Sequence, residues 1–168
     1  GTKILIAAAP ENKDAFNALC TLNYKGADTA IIKILESTND DRTADRMLKC
    51  LALRRTRAAA PVVVSMIEEP WNSNTKAAVD TFGALVQTED FSTYAKLLVD
   101  AKEKEKLKAL EKPIPAAARR QTDIEACTLP LIKAFDTAEG EPKYAILRTL
   151  GNMGGEPARE LLTQSLTP

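Results

Sequence analysis

One passage recurs along this 168-residue chain, and its spacing constrains the fold more than any other feature. Each copy places a large apolar residue, here called the anchor, late in an amphipathic stretch, and a short polar or glycine-containing turn follows. The anchors are Leu22, Leu51, Phe82 and Leu150, which lie 29, 31 and 68 residues apart. The last interval equals two units of 34 residues, so we expect a missing anchor near Ala116.

An alanine follows three of these anchors by eight positions, at Ala30, Ala59 and Ala158. Such a small side chain allows a following helix to approach the preceding one closely. A period of roughly 30–34 residues accommodates two helices of three to four turns and two tight turns. The pattern therefore predicts an all-α chain of about five stacked helical hairpins.

Proline, glycine and capping residues mark the predicted helix ends. A capping box of Thr122 and Glu125 predicts one later helix start, and Pro142 and Pro157 suit the first turns of two others. Apolar residues at helical spacing predict the earlier helices over 12–24, 29–36, 41–54, 58–68, 75–86 and 91–101.

The section 102–121 departs from this regularity. Lys102 to Lys112 is highly charged and favours a helix, and Pro113 and Pro115 should break that helix before it resumes at Ala116. We interpret the section as an irregular repeat within a single repeat domain over 1–168. We also expect this domain to be a fragment of a longer chain, since it begins without an initiator methionine.

Composition excludes several classes of function. Histidine is absent, which removes Ser–His and Cys–His nucleophile pairs, imidazole bases and most catalytic zinc sites. Lys+Arg and Asp+Glu balance at 23 each, so no global excess of positive charge favours a nucleic-acid partner. The longest clean apolar run, Ala58 to Val64, is far shorter than the ~20 residues that span a bilayer, so we expect no membrane insertion.

The acidic pairs Glu68–Glu69 and Asp40–Asp41 are poor acid–base dyads, because neighbouring residues on a helix point in different directions. We interpret Asp40 as a helix N-cap. The sequence predicts no catalytic residue, no metal ligand and no cofactor site.

The three cysteines, Cys20, Cys50 and Cys127, show no CxxC spacing and lie within apolar helical patterns. We interpret them as reduced, buried, small hydrophobic residues. A disulfide between two of them and a reactive thiol are the alternatives. Cysteine usage therefore does not fix the compartment.

The recurring passage resembles the signature of HEAT repeat proteins, in particular the short bacterial repeats called PBS-lyase-like. That signature is a Leu-Gly-x-Leu-Gly-Asp-Pro-x-Ala type of passage from the second helix of one repeat into the first helix of the next. The best match is 150–154 with Ala158, and weaker matches are Leu51 with Ala59 and Pro61, Leu22 with Gly26 and Ala30, and the front half at Phe82-Gly83. Asp90 stands where an alanine is expected, so we expect an altered turn there.

The resemblance implies a right-handed α–α superhelix, a HEAT-like solenoid whose second helices line a concave side. Similar modules occur in large, often exported, bacterial proteins, which favours a periplasmic or extracellular location. The family also contains pigment lyases and DNA-repair glycosylases, but no motif in this chain transfers either activity.

By the same resemblance, solvent-facing charged residues of 41–54, 75–86 and 142–152 form the partner-binding surface. Ordinary solvated charge is the alternative for each of them. The candidates are Arg46, Lys49, Lys76, Asp80, Lys143 and Arg148.

Trp71, the only tryptophan, lies in a turn and is a candidate binding anchor, since tryptophan is enriched at interface hot spots. The alternative is that its ring folds back over the hairpin end. The basic clusters 54–57 and 119–120 are explained by the preference of helix C-termini for cations, with phosphate binding as the alternative.

Two functions remain open at this level. The first is a non-catalytic scaffold or spacer that binds a protein partner or neighbouring domains of the parent chain. The second is a ligand-binding or enzymatic domain that uses the concave groove for a nucleotide, pigment or sugar. The second predicts a deep pocket with converging polar groups.

Overall fold

The computed structural model describes residues 2–24 and 26–166, and its regular elements there are helices without a strand. The all-α prediction is thus confirmed. Short 3-10 turns cover Arg57–Ala59 and Thr88–Asp90. The α-helices are α1 (Thr2–Ala8), α2 (Lys13–Thr21), α3 (Ala27–Ser37), α4 (Asp41–Arg54), α5 (Ala60–Glu68), α6 (Ser73–Leu85), α7 (Phe91–Asp100), α8 (Lys104–Glu111), α9 (Pro113–Ala118), α10 (Ile124–Thr137), α11 (Gly140–Met153) and α12 (Glu156–Leu166).

The helices group into two compact units, Gly1–Leu85 and Val86–Pro168. The helix predicted over 41–54 is confirmed to the residue, and the other predicted bounds up to 101 are confirmed within three residues. Pro142 and Pro157 lie in the first turns of α11 and α12, as predicted. A single repeat domain over 1–168 stays a prediction.

The first unit consists of three antiparallel hairpins, α1–α2, α3–α4 and α5–α6. The second helix of each hairpin packs against the second helix of the next, α2 on α4 and α4 on α6. Met47, Leu48 and Leu51 on α4 are fully buried, because this helix also packs against α3. The middle second helix therefore forms the centre of the unit.

In the second unit α7 packs against α8, which leads into α9, and α10 pairs with α11, while α12 packs on both α10 and α11. First helices contact each other here, α7 on α10 and α10 on α12. Second helices do the same, α11 on α8 and α9. The largest fully buried side chains are Phe91, Tyr94, Leu98, Leu110 and Ile114.

The anchors after the first hairpin are buried at a constant place in the second helices, three residues before the helix ends. Leu51, Phe82 and Leu150 occupy this place in α4, α6 and α11. The missing anchor predicted near Ala116 is Pro115, which is buried three residues before the end of α9. A proline tolerates this position because the helix begins only two residues earlier and its missing N–H costs little there.

The first anchor was assigned wrongly. Leu22 lies outside α2 and is half-buried, whereas Leu19 is fully buried and Ala27, eight positions later, is fully buried too. The pair of buried residues in this segment therefore starts three residues earlier than the pattern of Leu22 and Ala30 indicated. Tyr24 and Gly26 follow Leu22 as a turn, so the sequence after Leu22 resembles the sequence after the other anchors.

Arg54 connects two hairpins of the first unit. Its guanidinium donates to the backbone carbonyls of Leu19 at 3.1 Å and Leu22 at 2.8 Å, where α2 ends, and it pairs with Asp28 of α3. Its side chain is only 12% exposed. Carbonyls in the last turn of a helix have no partner within the helix, so this buried cation satisfies groups that would otherwise be left unpaired.

Similar contacts recur one repeat apart. Arg57 donates to the carbonyl of Leu85 at the end of α6, at 3.1 Å. In the second unit, Arg119 donates to the carbonyl of Asn152 near the end of α11, at 3.2 Å. Members of both clusters therefore serve helix C-termini, as predicted. Arg54 and Arg119 reach the end of a helix in a neighbouring hairpin, whereas Arg120 donates to the carbonyl of Ala116 in α9, the helix that it follows, at 3.2 Å.

Capping explains several helix starts. Asp40 is the N-cap of α4, as predicted, and its carboxylate accepts from the backbone N–H of Thr43 at 2.7 Å. The Thr43 hydroxyl also donates to this carboxylate, at 2.6 Å, and the bonds from the hydroxyl and from the backbone N–H of Thr43 hold the pKa of Asp40 below its ordinary value. The capping box predicted at Thr122 and Glu125 is wrong, because Asp123 caps α10 through the N–H of Ala126 at 2.9 Å.

The irregular section differs from its prediction in one respect. The helix resumes at Pro113 and not at Ala116, so that α8 and α9 are separated by Lys112 alone. Both prolines fall in the first turn of α9, so no hydrogen bond within α9 itself is lost. The altered turn expected at Asp90 is confirmed as a 3-10 turn in which Asp90 accepts from the backbone N–H of Gln87 at 2.8 Å.

Replacing Arg54 by alanine is expected to lower the free energy of unfolding by about 2–3 kcal/mol, because it leaves the end of α2 without its buried donor. Urea denaturation followed by circular dichroism measures this change. The matched control is Arg42→Ala, which removes a pair with Glu11 whose side chains are 57% and 73% exposed. That change should cost less than about 1 kcal/mol. Equal costs for the two variants would contradict the role given to Arg54.

Candidate interaction surface

Three of the six predicted surface residues line one groove between α4 and α6. Lys49, Lys76 and Asp80 border a depression of about 230 Å³, whose lining also includes Asp45, Ala52, Ser73, Ala77 and Thr81. The two alanines leave room for the groove. The sequence prediction thus brought together residues that are neighbours in space.

The charges in this groove are paired along each helix. The ammonium of Lys49 lies 2.6 Å from the carboxylate of Asp45, and that of Lys76 lies 2.8 Å from the carboxylate of Asp80. Both are i,i+4 pairs, which join neighbouring positions on a helix surface. In α4 the aspartate precedes the lysine, and in α6 the lysine precedes the aspartate. Each of the two helices therefore presents one positive and one negative charge to the groove.

Arg46 points toward α2. Its guanidinium carbon lies 5.1 Å from the centre of the Phe16 ring. A cation–π contact at a half-exposed position contributes about 0.5–1 kcal/mol. Arg46 therefore has a packing role between two second helices, α2 and α4.

The two candidates in the second unit point in different directions. The ammonium of Lys143 lies 4.5 Å from the centre of the Phe135 ring in α10, so it covers the first helix of its own hairpin. Arg148 instead forms a two-pronged pair with Glu111 of α8, at 3.0 and 2.8 Å. This pairing raises the pKa of Arg148 above its ordinary value.

A second groove lies between α8, α9 and α11, and sequence reasoning did not predict it as a surface. Its volume is about 510 Å³. The residues that line it are Lys108, Glu111, Lys112, Pro115, Arg119 and Asn152. Arg119 belonged to a basic cluster that was explained by helix ends. The charged residues at 108, 111 and 112 belonged to the section that was interpreted as an irregular repeat.

Trp71 is half-buried in a tightly hydrogen-bonded turn. Asn72 accepts from the backbone N–H groups of Asn74 and Thr75 at 2.8 and 2.9 Å, and the Thr75 hydroxyl donates to the carbonyl of Pro70 at 2.9 Å. The ring is thus carried by a hydrogen-bonded turn and is partly exposed. Its role as a binding anchor stays a prediction.

The cysteines are free thiols. Cys50 and Cys127 are buried, and Cys20 is half-buried. Burial raises the pKa of all three thiols above the ordinary value. A raised pKa keeps a thiol protonated, which suits structural cysteines better than reactive ones.

No model of a known protein family matches this chain, and no characterised protein matches it significantly. Within the described residues no group of histidine, cysteine and carboxylate side chains is arranged to hold a metal ion. No helix in the same part of the chain is long and apolar enough to cross a membrane.

Alkylation by iodoacetamide tests the state of Cys20. We expect a slower rate at neutral pH than for free cysteine, and a rate that still rises above pH ~8.5, where the rate of an unperturbed thiol begins to level off. Peptide-resolved mass spectrometry measures the rate at each cysteine, and the denatured chain serves as the control. A native Cys20 as fast as free cysteine at neutral pH would show an activated thiol and contradict this account.

Proposed function

We propose that this chain is a non-catalytic, HEAT-like helical-repeat module that binds a protein partner through its second helices. In this proposal the hairpins continue as a right-handed α–α superhelix of about five repeats. The observation that carries the proposal is the groove between α4 and α6. Its exposed charges are held in fixed pairs, and the packing of α4 against α6 places them side by side.

The regular position of the anchors supports the repeat part of the proposal. A buried residue three positions before the end of α4, α6, α9 and α11 is what a chain of equivalent hairpins requires. Each hairpin exposes an apolar side that only a neighbouring hairpin covers, and this is the physical basis of repeat proteins.

The chemistry of the groove supports binding over catalysis. Asp45 and Asp80 each lie within 2.8 Å of a lysine ammonium, so each carboxylate already has a counter-charge. Such pairs suit a solvated surface that exchanges its partners when another protein docks. The absence of histidine from the sequence adds to this preference.

Charge reversal in the groove tests the proposal. We expect Lys49→Glu with Lys76→Glu to abolish capture of a partner from the native source, because four acidic side chains would then face the partner. The matched control is Lys3→Glu with Lys33→Glu, which makes the same charge change on the first helices α1 and α3. Each captured protein is then purified, and its dissociation constant is measured against all three chains.

We expect at least a tenfold loss of affinity for the groove variant and less than a twofold change for the control. A partner that binds the groove variant normally but loses affinity for the control would contradict the proposed surface. Substrate turnover by the isolated chain that disappears with Asp80→Asn would contradict the non-catalytic assignment.

A further inference from the structure

The groove between α8, α9 and α11 carries an excess of positive charge. Lys108, Lys112 and Arg119 line it, and Arg148 stands at its edge through its pair with Glu111. Glu111 is the single carboxylate among the described lining residues. The whole chain has equal numbers of acidic and basic residues, so this is a local concentration of charge.

The one carboxylate is not available to the lysines. Glu111 is only 18% exposed at its side chain, and both of its oxygens accept hydrogen bonds from Arg148, at 3.0 and 2.8 Å. Two-pronged arginine–carboxylate pairs are among the strongest charged hydrogen bonds in proteins. Among the described residues, no carboxylate forms an ion pair with Lys108 or Lys112. Their charges therefore face solvent.

The basic side chains form a stripe. Lys112 keeps helical backbone angles between α8 and α9, so positions 108, 112 and 119 fall on nearly one side of a continuous helical path. At 1.5 Å per residue, the stripe is about 16 Å long. A single phosphate is too small to contact both ends, whereas an extended peptide covers this length with about five residues.

The lining also offers groups that recognise a polypeptide. Arg119 uses one of its N–H groups on the carbonyl of Asn152, at 3.2 Å, and has further donors left for a ligand. The side chain of Asn152 is exposed and has both donor and acceptor atoms, which match a peptide backbone.

We propose that this groove binds an extended acidic segment of the protein partner. The inference rests on the proposed function. It adds that the part of the partner bound by the second unit is acidic. The groove of the first unit has its lysines paired with aspartates, so charge complementarity favours the second groove for an acidic ligand.

Fluorescence anisotropy with a defined probe tests the inference. The probe is a fluorescein-labelled peptide with four glutamates alternating with glycine and serine, and the matched peptide has glutamine at the same positions. We expect saturable binding of the glutamate peptide alone, weakened by added salt. The variant Lys108→Gln with Lys112→Gln should raise its dissociation constant at least tenfold. The control Lys96→Gln with Lys133→Gln, which removes the same charge from exposed positions on the first helices α7 and α10, should change it less than twofold.

Three outcomes would overturn the inference. They are equal binding of both peptides, equal effects of the two double variants, and tighter binding of an oligothymidylate of the same charge than of the glutamate peptide. Unchanged thermal unfolding shows that the variants remain folded. If the acidic peptide fails while partner capture still depends on Lys49 and Lys76, this inference falls and the proposed function stands. If capture shows no dependence on those lysines, the proposed function falls by itself.

Discussion

Side chains that satisfy the backbone carbonyls at the ends of neighbouring second helices are the interaction on which both units depend. The last carbonyls of a helix have no partner in that helix, and packing against another hairpin removes water from them. Arg54 supplies the donor for α2, Arg57 for α6 and Arg119 for α11. Donor and acceptor are 28 to 35 residues apart, so these contacts join segments separated by about one period of the anchor pattern. A hairpin shifted by one helical turn would lose both the anchor's pocket and the donor.

The period of the apolar pattern was enough to predict an all-helical chain and most helix bounds. Leu51, Phe82 and Leu150 are buried as anchors because each is a large apolar residue on the face of its helix that packs against other helices. The pattern failed at Leu22 because an apolar residue in a turn is indistinguishable in sequence from one in the last turn of a helix. It also failed at Thr122, where Asp123 offers a capping oxygen one residue later. Which of two neighbouring residues is buried or caps a helix depends on packing, and the spacing of residues in the sequence does not show it.

The candidate surface was predictable in part. Lys49, Lys76 and Asp80 share a groove because exposed positions on consecutive second helices become neighbours at the repeat spacing. Lys143 was predicted with them, but its ammonium lies over the ring of Phe135. The basic groove around Lys112 was not predicted, because Pro113 and Pro115 made the sequence of α8 and α9 resemble a break between helices. Its charge also depends on the pair of Glu111 with Arg148, which are 37 residues apart in the chain. Net charge hides such a groove, since screening confines electrostatic attraction to about 8–10 Å at physiological ionic strength.

Site-specific photocrosslinking tests the central claim, that the second helices bind the partner, most directly. A benzophenone amino acid is placed singly at Ser73 and Ala116, exposed positions on the second helices α6 and α9 that leave the binding lysines intact, and at Lys33 and Lys133 on first helices, in extracts of the native source. Mass spectrometry identifies each crosslinked protein. The account predicts that one and the same protein is crosslinked from the second-helix positions and not from the first-helix positions. Crosslinks to that protein from Lys33 and Lys133 alone, or equally from all four positions, would contradict it.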